Sequence, residues 1–204
     1  MSESMTSACI GLRAKTARAV AVVLAGTSGS PRAVTRTEIA LASPANPDLF
    51  QPYHQVMDLP WERATQAVRD AERTIEGAAI RGLKALIDEL RSRSIDVRSV
   101  GIVGAPQCNL AAMGSPHIRA HAAEGVLFRH VLEVGAARND LPSAVHSERG
   151  FEAAAAGGLG LSVAEMRAVL ADIGRALGSP WRADEKAAAM AAWIGLTHQL
   201  TAKQ

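Results

Sequence analysis

The sequence predicts an α/β fold whose mixed sheet begins with an antiparallel hairpin, continues with parallel crossover strands and is flanked by helices. Two apolar segments, residues 9–25 and 32–42, are separated by the turn sequence GTSGSP. A long amphipathic helix is predicted over residues 60–93, and an apolar strand follows at residues 95–106. Because a helix joins the early strands to this later one, we expect the later strand to lie parallel to a neighbour.

The opening hairpin is predicted over residues 9–42. Residues 9–25 consist largely of Val, Ala, Leu and Ile, and the Gly, Ser and Pro residues that follow end the strand. Residues 32–42 are rich in β-branched side chains that nearly alternate with polar ones, which is typical of a return strand. We expect residues 97–104 of the later strand to pair in parallel with the first strand.

Residues 43–59 are predicted to form an irregular, proline-rich loop. The stretch SPANPDLFQPYHQVMDLP, which starts at Ser43, has four prolines in eighteen residues. Proline removes a backbone donor and restricts the residue before it, so a regular element cannot persist here. Such a loop can be a lid, an interface loop or a surface excursion, and we favour the surface excursion.

The remaining elements follow from helix-start signals and apolar spacing. Pro60 suits the first turn of the long helix, and Ser162 with Glu165 forms a capping box at the start of a later helix. The other predicted elements are helices at residues 116–135 and 183–198 and a short strand at residues 142–148.

The composition indicates one globular domain over residues 1–204. Hydrophobic residues make up 48% of the chain and charged residues 21%, an ordinary globular mixture. The net charge of +2 does not demand a nucleic-acid partner, although it permits a local basic patch. Cys9 and Cys108 match no zinc-binding pattern, and the N-terminus lacks the pattern of a secretion signal. We therefore expect a cytoplasmic protein with no membrane partner.

Four motifs in serial order carry a resemblance to a known family. The opening IGLRAKTARAVAVV resembles the family strand GIDPGxxxTGxAV, and VRSVGIVGAP resembles an apolar strand that ends in a glutamate. SPHIRAHAAEGVLFRHVLE resembles a helix beside the family active site, and RADEKAAAMAAWIGLTH resembles the terminal helix DxxDALAxAxxH. The chain thereby resembles the RNase H-like superfamily, and most closely the RuvC-type Holliday-junction resolvases. This resemblance implies an RNase H-like fold, in a family whose clustered carboxylates hold two magnesium ions for nuclease chemistry.

The matching positions of this chain lack most of those carboxylates. The first family aspartate corresponds to Arg13, and the strand glutamate corresponds to Val103 or Gly104. The last helix offers Asp184 and Glu185, although two acidic residues are also common at the positive end of a helix dipole. Because arginine repels a divalent cation, we expect no magnesium-dependent nuclease activity, no catalytic residues of this kind, no metal and no cofactor.

A second cluster is predicted on the helix that follows Ser115. His117, His121 and Glu124 have i, i+4 and i+7 spacing and share one helix face. Three interpretations stay open. The residues can be ordinary helix-surface side chains satisfied by neighbours, which we favour. They can form the metal site of a hydrolase, or they can bind an anion together with Arg13 and Lys15. Arg119 should point elsewhere on the helix.

These observations predict a binding or structural module that forms a homodimer and binds nucleic acid or a small anionic ligand. The candidate ligand-binding residues are Arg13, Lys15, His117, His121, Glu124, Asp184 and Glu185. The alternative is a metal-dependent hydrolase or nuclease on the same fold with relocated site residues. A relocated nuclease site would draw on Glu38, Glu124, Asp140, Glu148, Asp184 and Glu185.

Overall fold

A computed structural model describes residues 5–197 and confirms the predicted mixed sheet. Its strands are β1 (Thr6–Lys15), β2 (Arg18–Thr27), β3 (Ser30–Ala40), β4 (Ile95–Gly104) and β5 (Ser143–Ser147). They lie in the order β3-β2-β1-β4-β5. β1 pairs with β4 in parallel, as predicted, and β4 pairs in parallel with β5. In this register Arg13 is the partner of Val103, so both residues lie at the carboxyl ends of neighbouring parallel strands.

The prediction of a single strand at residues 9–25 is wrong, because this segment contains parts of two strands. β1 and β2 are joined at Thr16 and Ala17 and pair antiparallel, and β2 then pairs antiparallel with β3. The turn contains neither Gly nor Pro, and Ala17 itself adopts a positive φ of 61°. β1 and β2 are central strands covered on both faces, so they have an almost continuous apolar sequence with no alternation to mark the turn.

The helices largely follow the apolar periodicity. They are α1 (Trp61–Ala67), α2 (Arg69–Ser92), α3 (Pro116–Arg138), α4 (Phe151–Leu159), α5 (Val163–Leu177) and α6 (Ala183–Thr197). The helix predicted at residues 60–93 is interrupted at Val68, and the predicted end of the last helix, residue 198, lies outside the described residues. Both side-chain bonds of the predicted capping box, between Ser162 and Glu165, are present at the start of α5.

The sheet separates two apolar layers. On one face, Ile10 and Leu12 of β1 belong to the same buried cluster as side chains of α2 and α3. On the other face, Cys9 belongs to a buried cluster with α4, α5 and α6. Alternate residues of β1 therefore point into different layers, as the pleat of a strand requires. Arg13 shares the parity of Cys9 and so faces the α6 layer.

The proline-rich segment packs against the protein instead of forming the surface excursion that we favoured. It contains two 3₁₀ turns, Pro47–Leu49 and His54–Val56. Leu49 and Tyr53 are buried in the layer that contains α2 and α3. The Tyr53 hydroxyl donates a 2.8 Å hydrogen bond to Glu72 of α2. These contacts bring the second 3₁₀ turn close to α3.

Among residues 5–197, no single helix has both the length and the apolar character needed to cross a membrane.

Candidate functional site

Arg13 lies at the carboxyl end of the central strand β1 and is only 6% exposed. Each nitrogen of its guanidinium has a partner. Nε lies 3.4 Å from Oδ1 of Asp184, and Nη2 lies 2.5 Å from Oε1 of Glu148. Nη1 donates to the backbone carbonyl of Val103 at 3.4 Å. The buried cation is therefore neutralised by two carboxylates that come from distant parts of the chain.

Lys15 extends this arrangement toward solvent. Its Nζ lies 3.5 Å from the same Asp184 Oδ1 that faces Arg13. We name the four residues Arg13, Lys15, Glu148 and Asp184 the arginine cluster. The Glu148 side chain is 65% exposed and that of Asp184 is 28% exposed, so the cluster opens to water on its acidic side.

The close approach of α6 to the sheet positions Asp184 in this cluster. A Cβ atom on Gly11 would overlap the carbonyl oxygen of Ala188, and one on Gly101 would lie 2.6 Å from the carbonyl oxygen of Ala191. Only glycine allows helix and strand backbones to approach so closely. The alanine-rich face of α6 matches this contact, and the first turn of α6 consequently reaches the end of β1.

Glu185, the other acidic candidate on α6, has a different environment. It is 6% exposed, and its Oε2 accepts a 2.8 Å hydrogen bond from the backbone N–H of Arg182. This contact satisfies a free donor at the helix start. The structure thus brings Asp184 to Arg13 but directs Glu185 to the backbone of Arg182, the residue before α6.

The residues at this edge of the sheet do not fit a pair of magnesium ions. Magnesium prefers several oxygen ligands in octahedral geometry. Arg13 occupies the place where the family resemblance puts the first carboxylate, and the neighbouring β4 position is Val103. Glu148 and Asp184 do supply oxygen atoms, but both already pair with Arg13.

A second buried cation lies at the end of β4, on the opposite face of the sheet. Arg129 of α3 is 5% exposed, and its aliphatic stem packs against Gly104. Its guanidinium contacts Glu133 at 2.5 Å and the side-chain oxygen of Gln107 at 3.2 Å. Arg129 could not be recognised from the sequence as a buried cation, because its i, i+4 relation to Glu133 is also typical of an exposed helix pair.

The predicted histidine pair on α3 is brought together in the structure. Nε2 of His117 and Nε2 of His121 lie 3.2 Å apart, and both side chains are exposed. The third member is His54 from the 3₁₀ turn His54–Val56. One ring nitrogen of each histidine lies within 4.8 Å of those of the other two. We name His54, His117 and His121 the histidine cluster.

Glu124 contacts the histidine cluster through His54. Glu124 is only 4% exposed. Its Oε1 accepts a 2.8 Å hydrogen bond from Nδ1 of His54 and a 3.2 Å hydrogen bond from the His54 backbone N–H. The metal-site interpretation put Glu124 beside His117 and His121 as a third ligand, whereas the structure places it behind His54. His54 was a possible further ligand that the sequence could not place, because the path of an irregular segment is not periodic.

Neighbouring contacts hold the proline-rich segment against α3. Arg119 donates to the carbonyl oxygen of Met113 at 3.3 Å and lies over the Trp61 ring, so it points away from the histidine cluster, as predicted. Tyr53 stacks on Trp61 with ring centroids 5.5 Å apart. Burial, and then the hydrogen bond to Glu72, raise the pKa of the Tyr53 hydroxyl above its ordinary value.

The two clusters are separate. The pocket expected to combine the histidines with Arg13 and Lys15 does not form, because those cations pair with Asp184 in the α6 layer. The histidines instead lie on α3 and the proline-rich segment, which pack on the other face of the sheet.

Comparison with known proteins finds similarity in structure but not in sequence. No protein-family model matches the chain, and no curated protein matches it. A solved structure described as T. thermophilus RuvC in complex with Holliday junction substrate aligns with a TM-score of 0.52 and 12% sequence identity. The alignment covers 97% of this chain and 97% of that chain. A second solved structure, described as Thermus thermophilus RuvC structure, aligns with a TM-score of 0.49 and 12% identity over 95% of this chain and 96% of its own.

The order of the strands, the parallel pairing of β1 with β4 and the full-length alignment to the first of these structures agree with the resemblance found in the sequence. The chain has an RNase H-like α/β fold similar to that of RuvC.

Proposed function

We propose that this chain is a nucleic-acid-binding module on a RuvC-like fold that does not cleave its ligand by magnesium-dependent chemistry. The observation that carries the proposal is the buried Arg13, paired with Glu148 and Asp184 where the family resemblance puts the first metal-binding aspartate. Hydrolysis by two metal ions requires carboxylates that hold both ions ~4 Å apart. A divalent ion close to Arg13 would be repelled by several kcal/mol, even at an effective dielectric constant of ~20.

Binding of an anionic polymer is supported by the cations at the same end of the sheet. The Lys15 side chain is 37% exposed beside Asp184. Arg149 directly follows Glu148, Arg182 precedes Asp184 by two residues, and both arginines are exposed. Phosphate contacts by lysine and arginine supply most of the sequence-independent affinity for nucleic acid. The similar solved structure contains a Holliday junction, so branched DNA is the ligand to test first.

The first experiment measures cleavage. The purified chain is incubated with branched and linear DNA and with RNA, in the presence of magnesium or manganese, alongside the Asp184→Ala variant. We expect no cleavage by either protein. Metal-dependent cleavage that is lost in Asp184→Ala would contradict the proposal and favour the alternative of a nuclease with relocated carboxylates. The variant Arg13→Asp should also stay inactive, because Val103 still stands where the resemblance puts the strand glutamate.

The second experiment measures binding by fluorescence anisotropy over a range of salt concentrations. We expect Arg149→Ala and Arg182→Ala each to weaken binding of a four-way junction and to reduce the salt slope by about 1. The matched control is Arg91→Ala. Arg91 is exposed near the end of α2, which leads into the start of β4, so it lies at the opposite end of the parallel strands. If Arg91→Ala weakens junction binding as much as the other two variants do, Arg149 and Arg182 do not mark the nucleic-acid-binding surface.

We further infer that the chain acts in the cytoplasm as a homodimer. Two nucleic-acid-binding surfaces related by a two-fold axis would match the symmetry of a junction. Sedimentation of the full chain with and without a four-way junction tests the stoichiometry, and a complex with a single chain per junction would contradict it.

A further inference from the structure

The histidine cluster has the donor atoms of a transition-metal site. Ligands ~2.0–2.1 Å from a tetrahedral zinc ion lie roughly 3.3 Å from one another. The Nε2 atoms of His117 and His121 are 3.2 Å apart, which already matches that spacing. One ring nitrogen of His54 also lies within 4.8 Å of a ring nitrogen of each of these two histidines. Small side-chain rotations can therefore bring three imidazoles around one ion.

Glu124 prepares His54 for this role. A carboxylate can only accept hydrogen bonds, so its 2.8 Å contact with Nδ1 places the ring proton on that nitrogen. The lone pair of the His54 ring is then on Nε2, which is buried and has no hydrogen-bond partner among residues 5–197. A carboxylate behind a histidine ligand is the arrangement that orients metal-bound imidazoles and makes them more basic.

We propose that His54, His117 and His121 bind one Zn²⁺ ion, with Glu124 as a positioning residue that acts through His54. Imidazole nitrogens suit zinc, and three of them leave a fourth tetrahedral position for water or another ligand. The ion would join the proline-rich segment to α3, since His54 and the other two ligands come from these two elements. The site lies in the α3 layer and does not depend on the proposed binding of nucleic acid at the arginine cluster.

The test separates this site from the weak chelation that two exposed histidines four residues apart on any helix can provide. Zinc affinity of the full chain is measured by competition with a chromophoric chelator. Absorption of bound Co²⁺ then reports the coordination geometry. We expect one zinc ion per chain and the visible absorption of tetrahedral Co²⁺.

The decisive variant is His54→Asn. The asparagine side-chain NH₂ can still donate to Glu124, as Nδ1 of His54 does, but Nε2 is removed. We expect zinc affinity to fall more than ~100-fold in His54→Asn, and equally in His117→Ala and His121→Ala. The reason is that loss of a zinc ligand should exceed the roughly 10–100-fold effect of changing a residue that only contacts a ligand. Glu124→Gln should weaken binding roughly 10–100-fold and alter the Co²⁺ spectrum.

His130→Ala is the matched control, because His130 is exposed on the same helix and is not part of the cluster. We expect it to keep wild-type affinity. Thermal unfolding without metal verifies that each variant folds. If His54→Asn is unfolded, the proposal is tested by the zinc affinity of His117→Ala together with the Co²⁺ spectrum of Glu124→Gln. The proposal is overturned if the wild type does not bind one zinc ion, or if folded His54→Asn retains affinity within tenfold of the wild type.

Discussion

The arginine cluster and the histidine cluster lie on opposite faces of one sheet and differ in how their polar atoms are satisfied. Every guanidinium nitrogen of Arg13 has a partner within the protein. In the histidine cluster, Nε2 of His54 is buried and has no hydrogen-bond partner in the described part of the chain, while His117 and His121 contact each other at the surface. Paired polar atoms contribute to the stability of the fold, whereas Nε2 of His54 is the atom that the proposed zinc ion would bind.

The largest effect is expected where the backbone packing that builds the arginine cluster is disrupted. Gly11→Ala should lower the free energy of unfolding by about 3 kcal/mol, because the added methyl group overlaps the Ala188 carbonyl oxygen and displaces α6. Urea denaturation measures the change. The control is Gly158→Ala in α4, where an added Cβ meets no atom within 4 Å. Similar unfolding free energies for the two variants would show that α6 is not held in place by this contact.

A smaller loss of stability is expected when the positive charge of Arg13 is removed from the arginine cluster. Arg13→Met keeps much of the buried volume, and we expect a destabilisation of about 2 kcal/mol, below the ~3–5 kcal/mol typical of breaking a buried ion pair. The reason is that Glu148 and Asp184 are 65% and 28% exposed and can be hydrated once the cation is gone.

The matched control for Arg13→Met is Arg175→Met in the α6 layer. Arg175 also pairs with a carboxylate, Asp172, but both side chains are mostly exposed. Its replacement should change the unfolding free energy by less than ~0.5 kcal/mol. If Arg13→Met lowers the free energy of unfolding as little as Arg175→Met does, the arginine cluster does not stabilise the fold.

The smallest effect is expected in the histidine cluster without metal. His117→Ala should change the unfolding free energy by less than ~0.5 kcal/mol, since the side chain is exposed and its contact is with another exposed histidine. The difference should appear only with zinc, which raises the melting temperature of a protein that binds it in the folded state. Calorimetry with and without zinc measures both effects, with His130→Ala as the reference. A large decrease in the unfolding free energy of metal-free His117→Ala would mean that the histidine cluster stabilises the fold without a metal.

Most elements and their order could be predicted from the residues alone, apart from the turn that divides β1 from β2. Apolar periodicity marked the long helix over α1 and α2, the capping pair Ser162 and Glu165 marked the start of α5, and the helix before β4 implied its parallel pairing with β1. These signals are local, because a helix or strand repeats its exposed and buried positions at a constant interval. The i, i+4 spacing of His117 and His121 was equally local and correctly placed both on one face of α3.

The contacts between segments far apart in the chain became evident only in the folded protein. Glu148 and Asp184 reach Arg13 because β5 ends and α6 begins at the same edge of the sheet. Glu124 lies behind His54 because the proline-rich segment packs on α3. The turn at Thr16 and Ala17 was also hidden, since two strands buried on both faces have continuous apolar sequences. These features depend on packing between elements far apart in the chain, and no periodic pattern within one element encodes such a contact.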